Sequence, residues 1–327
     1  MLQNKRILLV APKFFGYAND IVNEMVRCGA SVDWLPDRPF DSTIAKALTR
    51  VRPDWVQPFA SGLYKKMLES FGARHYDYIF VINGQTLSQS MLRRLRIDFP
   101  TAKFILYMWD SMENRPGVLK NLKYFDSALS FDPQSSRQFG MKLRPLYYSH
   151  DFKPLNDNVR FDLSFIGTMH SDRYAVINKI KQGISADIRS YFYLYLQSPM
   201  VYQYYRATKR DMRHAQKSEF SFAPLDRLAV KSVFGQSNCI IDVEHPEQRG
   251  ATMRTFEALG AEKKLITTNK NVSNLDIYAT GNVCIINRER PVISKNFIKS
   301  PFIPYSKEIM YRYSLNGWLE EILKFNS

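Results

Sequence analysis

The sequence predicts an α/β protein made of two Rossmann-like halves. Three observations carry that expectation. Short apolar runs alternate with helix-period segments through residues 6–132, and the alternation starts again at 161. A polar, aperiodic stretch, YYSHDFKPLNDNVRFD (147–162), separates the two series. The length, 327 residues, suits two domains.

RILLVA (6–11) reads as the first strand. YANDIVNEMVRCGA (17–30) sets Ile21, Met25 and Cys28 at helical spacing and stops at Gly29. SVDWLP (31–36) is a second strand. DYIFVING (77–84) is a third, nearly all apolar, as a strand covered on both faces should be. LSQSMLRRLRIDFP (87–100) is a helix ending before Pro100, and KFILYMWD (103–110) and DSALSFD (126–132) are further strands. After the break, FDLSFIGT (161–168) runs into Gly167, and HSDRYAVINKIKQG (170–183) is a helix with Ser171 as its cap. SYFYLYLQ (190–197) is an aromatic strand, followed by a basic helical region over about 200–217. NCIIDVE (238–244), KLITTN (264–269) and NVCIIN (282–287) complete the strands. YSKEIMYRYSLNGWLEEILKF (305–325) is an amphipathic helix with a break near Asn316–Gly317. Such alternation implies mostly parallel sheets with helices on both faces. The expected domains are 1–155 and 156–305, with a C-terminal helix over 306–327 that packs back on the first.

Composition narrows the class. Hydrophobic residues make up 45% and charged residues 24%, as in an ordinary globular chain. No apolar run approaches the roughly 20 residues of a membrane helix. The start, MLQNKRILLVAPKFF, is too briefly apolar for a signal peptide and has no small-residue cleavage site after it. Cys28, Cys239 and Cys284 are too few and too scattered for a disulfide framework or a zinc site, so a reducing, cytoplasmic home is expected. The net charge of +15 favours an anionic partner: nucleic acid, an anionic membrane surface or an anionic substrate. The basic residues are dispersed, and the densest stretch, RATKRDMRHAQK (206–217), reads first as a solvated helix face.

The most informative stretch is HPEQRGATMRTFEALGAEKKLITTN (245–269). Gly250, Ala251 and Thr252 form a turn into a helix that packs Met253, Phe256 and Leu259 on the sheet. Small residues let a ligand approach the backbone, and the free N–H groups and dipole of a helix start attract phosphate. Arg254 can meet a phosphate oxygen, while Glu257 leans back toward the turn and can accept hydrogen bonds from a ribose. The same residues also fit an ordinary i,i+3 surface pair, and on physics alone the two readings weigh equally.

GATMRTFEALGAEKKLITTN (250–269) resembles the C-terminal-domain signature of GT-B glycosyltransferases. It is more closely similar to the CgeB-like proteins and to bacterial lipopolysaccharide or capsule-biosynthesis transferases. The resemblance is strong over 238–287 and extends as strand–helix order along the chain. It implies two Rossmann-like domains facing a central cleft, with a nucleotide sugar on the C-terminal domain and the acceptor on the N-terminal one. It gives Glu257 the grip on the ribose. Retaining relatives carry an E-x7-E pair, whereas here Glu247 and Glu244 lie ten and thirteen positions before Glu257. That departure leaves retention or inversion open.

The resemblance directs attention to further strand ends. In FIGTMHSDR (165–173), Gly167 and Thr168 would contact the diphosphate, and His170 and Arg173 would balance its charge. A plain β–α turn with a surface His explains His170 equally well. In YMWDSMENRPG (107–117), Trp109 can stack on a sugar, Asp110 can act as general base, and Ser111 lies beside them; Asp110 as a helix cap is the other reading. Gly16 and Tyr17, with Phe14 and Phe15, would line the acceptor side, as would Asn83. Asp242, Glu244, His245 and Glu247 lack the second ligand group of a metal shell, so no metal and no cofactor are expected. No dinucleotide fingerprint, P-loop or nucleophile elbow occurs.

The leading expectation is a hexosyl-type transferase of bacterial surface polysaccharide biosynthesis (lipopolysaccharide O-antigen or core, or capsule). It takes a nucleotide-sugar donor and a glycan or lipid-linked acceptor, in the cytoplasm with peripheral contact at the inner membrane, and no nucleic acid. A non-catalytic two-domain ligand-binding protein is the alternative; it predicts binding without turnover. Nucleic-acid binding through 206–217 ranks last, because no nucleic-acid fold signature is present.

Overall fold

The computed structural model describes residues 2–38, 53–73, 75–154 and 158–324. The chain divides into two units, Met1–Leu146 with Leu315–Ser327, and Tyr147–Ser314. Each holds a six-stranded sheet, and every strand pairing is parallel.

Unit 1 contains β1 (Arg6–Ala11), β2 (Ser31–Pro36), β3 (Tyr78–Ile82), β4 (Lys103–Met108), β5 (Ser127–Ser130) and β6 (Lys142–Leu143). Their order in the sheet is β2-β1-β3-β4-β5-β6. The connecting helices are α1 (Tyr17–Arg27), α2 (Pro53–Phe71), α3 (Gln89–Asp98) and α4 (Pro133–Phe139). Period-2 side chains cover both faces, which is why these strands read as continuous apolar runs. Leu8, Val10, Ile79, Val81, Phe104 and Leu106 pack with Tyr64 of α2 and Leu92 of α3.

Unit 2 contains β7 (Phe161–Thr168), β8 (Ser190–Tyr195), β9 (Phe220–Ser221), β10 (Ser237–Asp242), β11 (Lys264–Thr267) and β12 (Val283–Ile285). Their order is β12-β11-β10-β7-β8-β9. Its helices are α5 (Arg173–Gly183), α6 (Pro199–Thr208), α7 (Arg227–Gly235), α8 (Met253–Gly260), α9 (Lys295–Lys299) and α10 (Lys307–Tyr313). A last helix, α11 (Leu315–Lys324), belongs to unit 1. There Trp318 lies 4.8 Å from the Tyr107 ring and 5.9 Å from that of Phe80, covering the sheet face opposite α2 and α3.

In both sheets the chain builds outward from one strand and then reverses. The reversals fall between β1 and β3 in unit 1 and between β7 and β10 in unit 2. Crevices outside the carboxyl ends of strands at such switch points are where open α/β sheets bind ligands.

Four expectations are corrected. The basic stretch over 200–217 is not one helix: α6 ends at Thr208, and short 3₁₀ turns follow at Arg210–Met212 and Lys217–Glu219. Ser171 is not the cap of α5. It sits in the left-handed region at φ 46°, and Asp172 is the cap residue. The tail helix breaks at Ser314 rather than at Asn316–Gly317. Ser314 is extended and pairs with Tyr148 as an isolated parallel bridge, which takes it out of helical geometry. The stretch from 147 is not an open linker either. Phe152 packs 5.6 Å from Phe234, and Gly260 leaves room for the Tyr148 ring, whose carbons a Cβ would meet at 2.5 Å. The unit boundary therefore falls at Leu146, ahead of the expected 155.

Candidate functional site

The carboxyl ends of β7, β10, β11 and β12 carry a dense set of charged groups. Asp242, the last residue of β10, is buried. Its Oδ2 accepts hydrogen bonds from Thr252 Oγ1 at 2.6 Å and Thr255 Oγ1 at 3.2 Å. Thr252 in turn accepts from the Thr255 N–H, which makes it the N-cap of α8. The strand end is thus stitched to the helix start. The loop between them is held by its carbonyls: Asn269 Nδ2 donates to Gly250 O at 3.0 Å and Asn271 Nδ2 to Arg249 O at 3.0 Å. A helix start leaves its first N–H groups without intrahelical partners, so Gly250, Ala251 and Thr252 lead into an anion-attracting end.

Arg254 and Glu257 stand one turn in. Their closest charged atoms are 3.8 Å apart, the carboxylate is 4% exposed, and the guanidinium lies over the Phe234 ring at 4.9 Å. Arg254 Nη1 is buried without a hydrogen-bond partner. Glu257 is buried while the Arg254 side chain is 22% exposed and stacks on Phe234, so the pair is partly enclosed rather than a fully exposed i,i+3 pair.

Arg173 spans the switch point. Its Nη1 donates to Thr168 O at 2.7 Å and its Nε to Val243 O at 2.7 Å, tying the end of β7 to the end of β10. Gly167 makes room for it: a Cβ there would meet Phe165 at 2.8 Å and Arg173 Nη1 at 3.3 Å. Burial pulls the Arg173 guanidinium down to about 10; Asp242 and Glu244 work against that, while Arg254 and Arg288 add to it. Arg288, beyond β12, donates to Asp172 Oδ1 at 2.8 Å, to Glu244 Oε1 at 2.7 Å and to Glu244 O at 2.9 Å. Burial raises the Glu244 carboxyl, which also accepts from Thr268 Oγ1.

His170 follows β7 and faces His245 with ring centroids 5.7 Å apart. Its Nδ1 lies 3.0 Å from Ser171 Oγ. Burial, then the charges of Arg173, His245 and Lys209, push its imidazole down to about 4, so it is neutral at pH 7. Lys209 donates to Ser171 O at 2.8 Å.

The structure therefore gathers Gly167, Thr168, His170, Arg173, Gly250, Ala251, Thr252, Arg254 and Glu257 on one edge of one sheet. It adds Arg288 and Lys209, which the sequence reading missed. Arg288 carried a usable signal, a basic residue just past the strand run NVCIIN. Lys209 carried none, because a chain turn rather than a strand end delivers it. Among the described residues no group of three or more His, Cys, Asp or Glu is placed to hold a metal ion.

In unit 1 the expected acceptor residues also fall at strand ends. Gly16, with φ 76°, caps α1, and Phe15 before it has φ 46°, a left-handed conformation rare for a bulky residue. Phe14 and Phe15 are 52% and 66% exposed, and Tyr17 lies 5.7 Å from Trp109. Asn83, also left-handed at φ 65°, accepts from the Trp109 N–H at 2.9 Å and so fixes that loop. Asp110 is fully engaged. Its Oδ1 accepts from Ser111 N–H and Asn114 Nδ2, both at 3.0 Å, and its Oδ2 lies 2.9 Å from Arg115 Nη2.

No family model matches the chain, and no curated protein matches it in sequence. Solved structures do match in fold. A glycosyltransferase from Rickettsia africae is 12% identical with a TM-score of 0.60, covering 98% of this chain and 97% of its own. HepE of Anabaena, solved with UDP and glucose, is 12% identical with a TM-score of 0.60 and 99% coverage of each chain. A UDP-GlcNAc 2-epimerase from Neisseria meningitidis, bound to UDP-GlcNAc, is 10% identical with a TM-score of 0.52, covering 98% of this chain and 99% of its own. The fold is GT-B: two Rossmann-like domains, each on a parallel six-stranded sheet. A transferase and an epimerase share it, so the reaction has to be argued from the site.

Proposed function

We propose that the chain is a glycosyltransferase that binds a nucleoside-diphosphate sugar on unit 2 and a glycan or lipid-linked acceptor on unit 1. One observation carries the reading: the capped start of α8 with the half-buried Arg254 paired to the buried Glu257, beside an arginine that spans the β7–β10 switch point. The diphosphate takes the helix start and Arg254, whose buried Nη1 gains the acceptor it lacks. Gly167 and Thr168 form the facing edge, and Arg173 supplies positive potential. Glu257 accepts the ribose hydroxyls. Neutral His170 donates a hydrogen bond to the leaving phosphate. In this reading arginines and the helix start carry the charge that a metal would otherwise balance.

On unit 1, Trp109, with the buried Tyr17 ring 5.7 Å from it, offers an aromatic face to a sugar ring, and Gly16, Asn83 and Ser111 shape the loops around it. Asp110 holds its own turn. The hexosyl-type donor, the role in bacterial surface polysaccharide assembly, and a cytoplasmic location with peripheral membrane contact rest on the resemblance of 250–269 and on the +15 charge.

A thermal-shift panel of UDP, GDP, CMP and ADP tests the donor site. The expected result is a rise in melting temperature with one nucleoside diphosphate, lost in Glu257→Gln although that variant melts as a folded protein. No shift with any nucleotide would refute the reading. The likeness to the epimerase favours one second reading, a sugar-nucleotide isomerase, for which the nucleotide sugar would be converted with no acceptor and no released nucleotide.

A further inference from the structure

Asp37 is a buried acid that none of the expectations above used. It follows β2 and is 2% exposed, and its Oδ1 has no hydrogen-bond partner. Its main chain is fixed from three sides: its N–H donates to Ala11 O at 2.9 Å, Tyr64 Oη donates to its carbonyl at 2.9 Å, and Thr86 Oγ1 donates to the same carbonyl. Ala11 ends β1, and Thr86 belongs to the loop after β3. Asp37 therefore lies across the switch point of unit 1, as Arg173 lies across that of unit 2.

We propose that Asp37, rather than Asp110, is the general base that takes the proton from the acceptor hydroxyl; this rests on the transferase reading. The two carboxyls are in opposite situations. Asp110 has both oxygens occupied, one by Arg115, so protonating it would break an ion pair and two hydrogen bonds. Asp37 has an oxygen with a vacant lone pair in a rigid frame. Burial raises its carboxyl to about 6, against the pull of Arg38, the main chain of Thr86 and Gln85, and Arg115. A base in that range is charged at neutral pH and still avid for a proton. Tyr64, the other titratable group against it, is itself driven well up by burial and by Asp37, so it stays a neutral donor.

The acceptor O–H bond breaks and its proton goes to Asp37 Oδ1. The acceptor oxygen forms a bond to the anomeric carbon, and the bond from that carbon to the phosphate oxygen breaks. The nucleoside diphosphate leaves with the electron pair. A single displacement inverts the anomeric centre. Oδ1 is buried in the unliganded chain, so the step requires the acceptor hydroxyl, or a water in its place, to be admitted to it.

The test uses hydrolysis of the sugar nucleotide whose diphosphate gives the thermal shift, with water as acceptor. Asp37→Asn, Asp37→Glu and Asp110→Asn are compared with wild type from pH 4.5 to 8.5. Asp37→Asn should lose roughly 100-fold or more in rate while keeping the nucleotide shift. Wild type should show a rate limb near pH 6 that this variant lacks, and an inverted sugar product. Asp37→Glu, which keeps a carboxyl, should recover part of the rate if Asp37→Asn fails to fold. The inference is overturned if Asp37→Asn keeps its rate within about threefold or keeps the limb, if the sugar is released with retention, or if wild type binds the nucleotide yet hydrolyses none of its sugar. The absence of any nucleotide shift in wild type would instead sink the transferase reading itself.

Discussion

Asp37 and Glu257 are acids taken out of water, and each would be easier to keep on the surface. For Asp37 the consequence can be measured without any ligand. Its carboxyl sits at about 6 in the folded chain against an ordinary value of 3.8. Between those values the folded state holds more protons than the unfolded one. The contribution of Asp37 to stability is therefore greatest below pH 4, falls as pH rises through 6 and then levels. The difference corresponds to about 3 kcal/mol. Asp37→Asn should gain that amount over wild type in urea unfolding at pH 7.5 and lose the advantage at pH 4. An advantage of the same size at both pH values would contradict it. At this scale the sequence was only partly legible. Arg254 and Glu257 could be picked out because they stand at an anion-attracting helix start and the resemblance of 250–269 singles out Glu257, although on physics alone a surface pair fitted as well. Asp37 could not, because an Asp after a strand looks the same whether its loop buries it or leaves it wet. For Asp110 the sequence showed the strand end but not the donors that hold its carboxylate, which come from the turn that follows it.

The element that matters most is α8. Its start is fixed by Thr252, which accepts from Thr255 N–H and donates to Asp242, so one hydroxyl serves both the helix and the strand before it. Thr252→Ala should destabilise the chain by about 1–2 kcal/mol in urea unfolding. It should also weaken nucleotide binding. Thr252→Ser should restore most of both, and a Ser variant as weak as Ala would argue against the cap. The longer elements were readable from periodicity, because β1, β3, β4, β7 and α8 each bury enough apolar surface to impose a pattern. The two-residue strands β6 and β9 were not readable, since two residues carry no period. The helix break at Ser314 was hidden by a Gly three residues later that looked the better breaker. A long-range bridge to Tyr148 decides the matter, and local propensity cannot report it.

For the whole molecule, the repeated strand–helix order and the polar gap at 147–162 were enough to expect two Rossmann-like units, and two parallel sheets are present. Where the chain changes unit was less legible, because Tyr147, Tyr148 and Phe152 sit in a polar stretch yet are buried in unit 2. The net charge of +15 pointed to an anionic partner without choosing one. The choice comes from concentration: Arg173, Arg254, Arg288, Lys209 and two imidazoles meet the start of α8 at the ends of β7 and β10. The most direct measurement is a crystal structure with the nucleoside diphosphate that shifts the melting temperature. The account predicts its phosphates against 250–254 and its ribose hydroxyls on Glu257. Density for the nucleotide elsewhere, with that helix start unliganded, would contradict it.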